Sequence, residues 1–192
     1  MAVYPITRYP RDLELRDATK VAVRPMAATD CAPLLDFFRA IPEDERYFLK
    51  DDVSSPRVIQ AWSDGLDYDR ALPLLAFDGD RVVGDAVLVR RRGGYRRHAA
   101  EARVVVAPDF RGKGLGVALL RELIEIAWDA ELEQVDFEMV KGIQDDAIHA
   151  VEFLGGIKVG QVSDAVRDLH GDLHDAVFLR LPLGNYWKWA QF

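Results

Sequence analysis

The chain has 192 residues, enough for one well-buried domain and short for two. It is 49% hydrophobic and 30% charged, an ordinary globular balance, and its net charge of −7 disfavours general binding to nucleic-acid phosphates. No apolar run approaches the ~20 residues that cross a bilayer, and Met1 to Arg16 lacks the apolar core of a signal peptide. The single cysteine, Cys31, cannot form an internal disulfide, so a cytoplasmic protein without membrane or nucleic-acid partners is expected.

In chain order, Leu13 to Leu15 and Val21 to Val23 flank Asp17-Ala18-Thr19-Lys20, which predicts an opening hairpin or two extended segments. Thr29 or Asp30 can cap a helix with Leu34, Leu35, Phe37 and Phe38 on its apolar face; Cys31 has a packing role there. Ser55-Pro56 starts a second helix, with Val58, Ile59 and Trp62 at helical spacing. After Pro73 the pattern turns to strands, Leu74 to Phe77 and Val82 to Val89, parted by the hairpin signal Asp78-Gly79-Asp80. Gly93-Gly94 turns the chain into a third strand at about His98 to Ala107, and the flanking Arg90, Arg91, Arg92, Arg96 and Arg97 read as a solvated hairpin tip.

A long helix follows, about Leu115 to Ala130, with Leu119, Leu120, Leu123, Ile124 and Ala127 as its buried stripe. Val135 to Val140 is a strand, Asp145 to Leu154 a helix stopped by Gly155-Gly156, and Ile157 to Val162 and Ala176 to Leu181 are closing strands. This order predicts one α/β domain with a mixed sheet over residues 1–192, with an extension or hairpin at 1–20 and an aromatic tail at 183–192. The tail, which includes Tyr186, Trp187, Trp189 and Phe192, suits docking on its own domain, a homodimer interface or a substrate contact.

Arg111-Gly112-Lys113-Gly114-Leu115-Gly116 lies between an apolar strand and a helix. Backbone amides at a helix amino terminus converge on anions, and glycines let the backbone approach them closely. The loop lacks the spacing and hydroxyl of a P-loop, and its third glycine comes one residue early for a dinucleotide fingerprint. Val104 to Leu120 resembles the coenzyme-binding motif of the GNAT superfamily of N-acetyltransferases. The resemblance implies a mixed, mostly antiparallel sheet with a central splayed parallel pair, flanked by helices, and acetyl-CoA as cosubstrate in the splay. By the same resemblance Val104, Val105 and Val106 line the pantetheine arm, while Arg111, Gly112, Lys113, Gly114, Leu115, Gly116 and Val117 hold the pyrophosphate, with Gln144 at the family's asparagine position. Tyr9 to Leu13, Arg16-Asp17, Val23 to Pro25, Leu35 to Arg39 and Pro42 to Phe48 are similar to the narrower group of bacterial protein lysine acetyltransferase domains.

Acetylating an amine requires a group that takes a proton from the ammonium. Glu101, on the strand leading into the glycine loop, is the expected base; Glu138, on the next strand, is the alternative. Many family members protonate the departing thiolate with a tyrosine, but Val151 holds that position here and Gly156 holds that of a following phenylalanine. No metal is expected: His170 and His174 share a segment with Gly171 that suits a polar loop better than a ligand helix. The expected activity is acetyl transfer from acetyl-CoA to a primary amine, with a protein lysine as first acceptor and a small-molecule amine or protein amino terminus behind it. The missing tyrosine keeps open a rival: a non-catalytic acyl-CoA-sensing module.

Overall fold

The computed structural model describes residues 6–91 and 93–184. Its eight strands form one sheet in the order β1-β2-β3-β4-β5-β6-β8-β7. Strands β1 (Arg11–Glu14) and β2 (Lys20–Pro25) are the predicted opening hairpin, and α1 (Cys31–Ala40), α2 (Glu43–Arg46) and α3 (Pro56–Asp64) follow. The meander β3 (Ala71–Asp78), β4 (Arg81–Arg90) and β5 (Ala99–Val106) then leads into α4 (Leu115–Asp129). Next come β6 (Gln134–Val140), α5 (Asp145–Phe153), β7 (Ile157–Arg167) and β8 (Leu173–Pro182). Every neighbouring pair is antiparallel except β5–β6. The aromatic tail from Tyr186 onward lies outside the described residues.

Helix α4 packs across β4 and β5 because the strand beneath it carries Gly84, where a Cβ would come within 2.8 Å of Leu119 Cδ1. Side chains alternate across a sheet, so Asp85, Val87 and Val89 face the opposite layer, where Leu34 and Phe38 of α1 and Trp62 of α3 line a common cavity with them. The α4 stripe differs from expectation at three positions. Ile126 is fully buried while Ile124 is only half-buried, and Glu122 is 3% exposed. Glu122 tolerates burial because Tyr9 Oη donates to it at 2.9 Å and the Arg11 guanidinium lies 2.9 Å away. Burial, then the Glu122 charge and its hydrogen bond, raise the Tyr9 pKa. These contacts staple the opening segment to α4.

Asp30 occupies the cap position of α1 but spends its carboxylate elsewhere: it accepts from Ala27 N–H at 2.7 Å and from both Arg24 amino nitrogens at 2.6 and 2.8 Å. Strand β3 begins at Ala71 with Pro73 inside it, and the Pro73 carbonyl accepts from Met26 N–H at 2.9 Å. Strands β7 and β8 run further than their apolar residues indicate, and their connecting turn is fastened by His174 Nε2 against Asp168 at 2.9 Å. No helix among the described residues is long and apolar enough to cross a membrane.

Candidate active site

Strands β5 and β6 pair only at Ala99↔Gln134, Ala100↔Val135 and Glu101↔Asp136. Beyond Glu101, β5 stays with β4 as far as Gly84↔Val106, while β6 stays with β8 as far as Val140↔Ala176. The sheet therefore opens into a wedge whose apex is Glu101. The Ala107 N–H donates to Val83 on β4 at 2.9 Å, and His98 carbonyl accepts from Glu133 on the other side. Hydrogen-bonding direction alternates along a strand, so Val104 and Val106 turn their main-chain groups toward the wedge and Val105 turns its own toward β4. Val105 instead places its side chain in the cavity on the α1 face. Of the three expected lining valines, Val104 and Val106 thus turn main-chain groups to the opening, where the Val106 carbonyl accepts from Arg111 Nε at 3.4 Å, and Val105 does not.

The glycine loop sits at the open end of the wedge. Arg111 N–H bonds to Pro108 and Ala118 N–H to Gly114; among the described residues the amides from Gly112 to Val117 donate to no backbone carbonyl. They surround the amino terminus of a 15-residue helix, where partial positive charge accumulates. Gly112 and Gly114 adopt φ of 72° and 90°, a left-handed conformation that other residues resist. Nothing lies within 4 Å of a Cβ built on Gly112, so the loop is open on that side. Leu115 contributes only its main chain, since its side chain is buried under β4. The donor set and its openness fit a pyrophosphate.

Both cations of the loop already hold carboxylates. Arg111 donates to Glu45 on α2 at 2.9 and 2.6 Å, and Lys113 lies 3.4 Å from Asp17 and over the Phe110 ring. Arg16 also reaches the loop: its N–H donates to Lys113 carbonyl at 3.1 Å and its side chain covers Gly114. Sequence reading does not connect Glu45, Arg16 or Asp17 to the loop, because each is remote in sequence or sits in an element of one turn.

At the apex, Lys50 Nζ lies 2.5 Å from Glu101 Oε1 and 3.0 Å from Glu138 Oε2. One ammonium therefore bridges both expected bases across the two strands. Burial alone would lower the Lys50 pKa, but the hydrogen bonds it donates to Glu101 and Glu138, with their charges, outweigh burial and hold the group above its ordinary value. The cavity on the α1 face, about 430 Å³ and mostly apolar, runs from Lys50 past Val89 and Val87 to Asp85. An open second depression of about 420 Å³ flanks Glu101 and Glu138 on the β8 side. Burial pushes the Asp85 carboxyl up to about 7, with the Arg103 charge opposing, and Arg103 Nε is buried without a hydrogen-bond partner.

Three further residues of interest are placed by the structure. Arg96 is not a free hairpin-tip charge, since it pairs with Asp136 on β6 at 2.5 Å. Gln144 precedes α5 and its side-chain oxygen accepts from Val140 N–H at 2.7 Å, which closes the turn after β6. Val151, at the family's tyrosine position, is completely buried. A Cβ at Gly156 would strike Val151 Cγ1 at 2.4 Å, which accounts for glycine at the phenylalanine position.

The divergent parallel pair beside an amide-lined loop defines a GNAT-type α/β fold. Residues 35–155 match the acetyltransferase (GNAT) family, and the chain belongs to that family. It is therefore an N-acetyltransferase with acetyl-CoA as donor. A search of curated proteins returns no match. Among solved structures, the chain is similar to the GNAT domain of PAT from S. lividans: 20% identity, 94% of this chain and 99% of that one, TM-score 0.77. It is also similar to ribosomal-protein-alanine N-acetyltransferase from Brucella melitensis, at 24% identity over 84% and 99% of the two chains with a TM-score of 0.73. A third likeness is to a phosphinothricin acetyltransferase from Sinorhizobium meliloti in complex with AcCoA: 22% identity, 86% and 89% coverage, TM-score 0.73.

Proposed function

We propose that this acetyltransferase acetylates a primary alkylamine, with a lysine side chain as acceptor, using Glu101 as general base at the apex of the wedge. The carrying observation is that a lysine ammonium already sits against Glu101 and Glu138, so the pair accommodates that chemical group. The amides from Gly112 to Val117 bind the coenzyme pyrophosphate, with Arg111 and Lys113 adding charge once Glu45 and Asp17 are displaced. Main-chain groups of Val104 and Val106 orient the pantetheine arm along β5. The acetyl thioester is the electrophile that the bound coenzyme supplies.

Glu101 removes a proton from the acceptor ammonium, and the neutral nitrogen attacks. Glu138 holds the incoming ammonium from the opposite strand. Coenzyme A thiol is acidic enough to depart as thiolate and take its proton from water, so the buried Val151 does not forbid turnover. The lone Cys31 suits a reducing, cytoplasmic compartment. The test combines calorimetric binding of acetyl-CoA with thiol release against a panel of alkylamines and lysine peptides. Glu101→Gln is expected to lower kcat/KM by about 10²–10⁴-fold with coenzyme affinity unchanged. Equal turnover in that variant would remove Glu101 from the chemistry. Binding with no turnover on any amine would instead favour the acyl-CoA sensor, the reading that Val151 supports.

A further inference from the structure

Lys50 is an ammonium that the chain itself places against a candidate general base. It follows α2 in a turn-rich segment anchored on both sides. Phe48 meets the His174 ring of β8 edge-on at 6.3 Å between centroids, and Val53 is buried in the core. Between those anchors the Lys50 side chain crosses to Glu101 on β5 and Glu138 on β6, at the point where the two strands part. Other lysines of the described chain, such as Lys20, Lys141 and Lys158, are exposed and touch neither carboxylate. No structural need for this ion pair is evident: all three side chains are between 43% and 47% exposed, and exposed pairs of this kind stabilise by about 1 kcal/mol at most.

We propose that Lys50 is a self-acetylation site, modified in cis by the protein's own bound acetyl-CoA. The inference rests on the acetyltransferase reading of the wedge and on Glu101 as base. Glu101 accepts one proton from the Lys50 ammonium. The freed nitrogen forms an amide bond to the acetyl carbon, and the thioester carbon–sulfur bond breaks with its electron pair on sulfur, which is then protonated. The nitrogen gives up two protons in all, one matched by the proton taken up on sulfur, so the products are acetylated Lys50, coenzyme A thiol and one net proton. The modification happens once per chain and removes the cation that occupies the apex. Glu101 and Glu138 then lose their resident partner and become available to an external ammonium, so the first acetyl transfer clears the site for those that follow.

The test incubates the purified full chain with acetyl-CoA and no amine acceptor, then reads acetylation at each lysine by peptide mapping against time. Lys50 is expected to be acetylated first, with a rate constant independent of protein concentration, as an intramolecular step requires. Glu101→Gln is expected to slow the mark at Lys50 by about 100-fold while leaving slow chemical acetylation of Lys20, Lys141 and Lys158 unchanged. Lys50→Arg keeps the cation, cannot be acetylated and is expected to lose the mark while retaining coenzyme binding. Unmodified Lys50 in protein that binds acetyl-CoA and acetylates an added amine would overturn this inference and leave the enzyme reading intact. Modification of Lys50 at the same rate in Glu101→Gln would also overturn it. Failure to bind acetyl-CoA at all would strike the coenzyme reading instead.

Discussion

Replacing Asp85 with asparagine should change how folding stability depends on pH. Asp85 lies in the centre of β4, between Leu75 of β3 and Val105 of β5, and is 6% exposed. Burial raises its carboxyl from 3.8 to about 7, and the Arg103 guanidinium offsets only part of that rise. A group whose folded pKa exceeds its unfolded value binds its proton more tightly when folded. Its stabilising effect is therefore complete below pH about 4 and disappears as pH climbs to about 7. Each pKa unit corresponds to about 1.4 kcal/mol, so the native protein should lose about 4 kcal/mol through this one group over that range. Asparagine keeps the shape of the neutral acid and does not titrate. Urea unfolding of both proteins at several pH values, followed by tryptophan fluorescence, gives the difference directly. Relative to the native chain, Asp85→Asn should gain about 3 kcal/mol between pH about 5 and pH about 8. Histidines are common to both proteins and cancel in the difference. A gap that stays constant with pH would mean that Asp85 is ionised in the folded state, and the argument from its burial would fail.

Substitutions at two other positions probe the loop and the α1 junction. Gly114→Glu places a carboxylate among the amides proposed to hold the pyrophosphate, at a residue with φ of 90°; coenzyme A affinity should fall about 100-fold by calorimetry. Gly114→Ala shares the backbone strain of about 1–2 kcal/mol without the charge, so equal losses in both variants would refute the electrostatic account. Arg24→Met strips the bidentate partner from Asp30, which is 4% exposed, and should destabilise the fold by about 3 kcal/mol in urea. The Arg24 hydrogen bonds hold the Asp30 pKa below its ordinary value, so that stabilisation exists above pH about 4 and is lost as pH falls. The variant should accordingly show a flatter acid limb, and an unchanged limb would count against the pairing.

Local chemistry makes parts of this protein legible in the sequence alone. Ser55-Pro56 opens α3, Asp78-Gly79-Asp80 turns β3 into β4, and the glycines before Leu115 mark the start of α4. Each signal lies within a few residues of its structural consequence. Helix α2 escaped because four residues, Glu43 to Arg46, carry no apolar period. Strand β7 continues to Arg167, past the Val162 end that its apolar residues predict, because an exposed edge strand has no inward face to impose alternation. The buried Glu122 was invisible for a related reason: its partners Tyr9 and Arg11 are more than a hundred residues away.

The sequence by itself determined the order of the main elements, the glycine loop before α4 and the family, since glycine spacing and hydrophobic periodicity are properties of neighbouring residues. It also marked Glu101 and Glu138 as separate candidates, one on each strand. Only the tertiary structure decided that the strands part at Glu101 and that Lys50 bridges the two carboxylates. It also decided that Glu45 and Asp17 occupy the loop cations and that Val105 belongs to a cavity rather than to the wedge. These facts depend on which strands pair and where pairing stops. That is settled by packing α4 on one face of the sheet and α1 and α3 on the other, a balance spread over the whole core rather than written in any short segment.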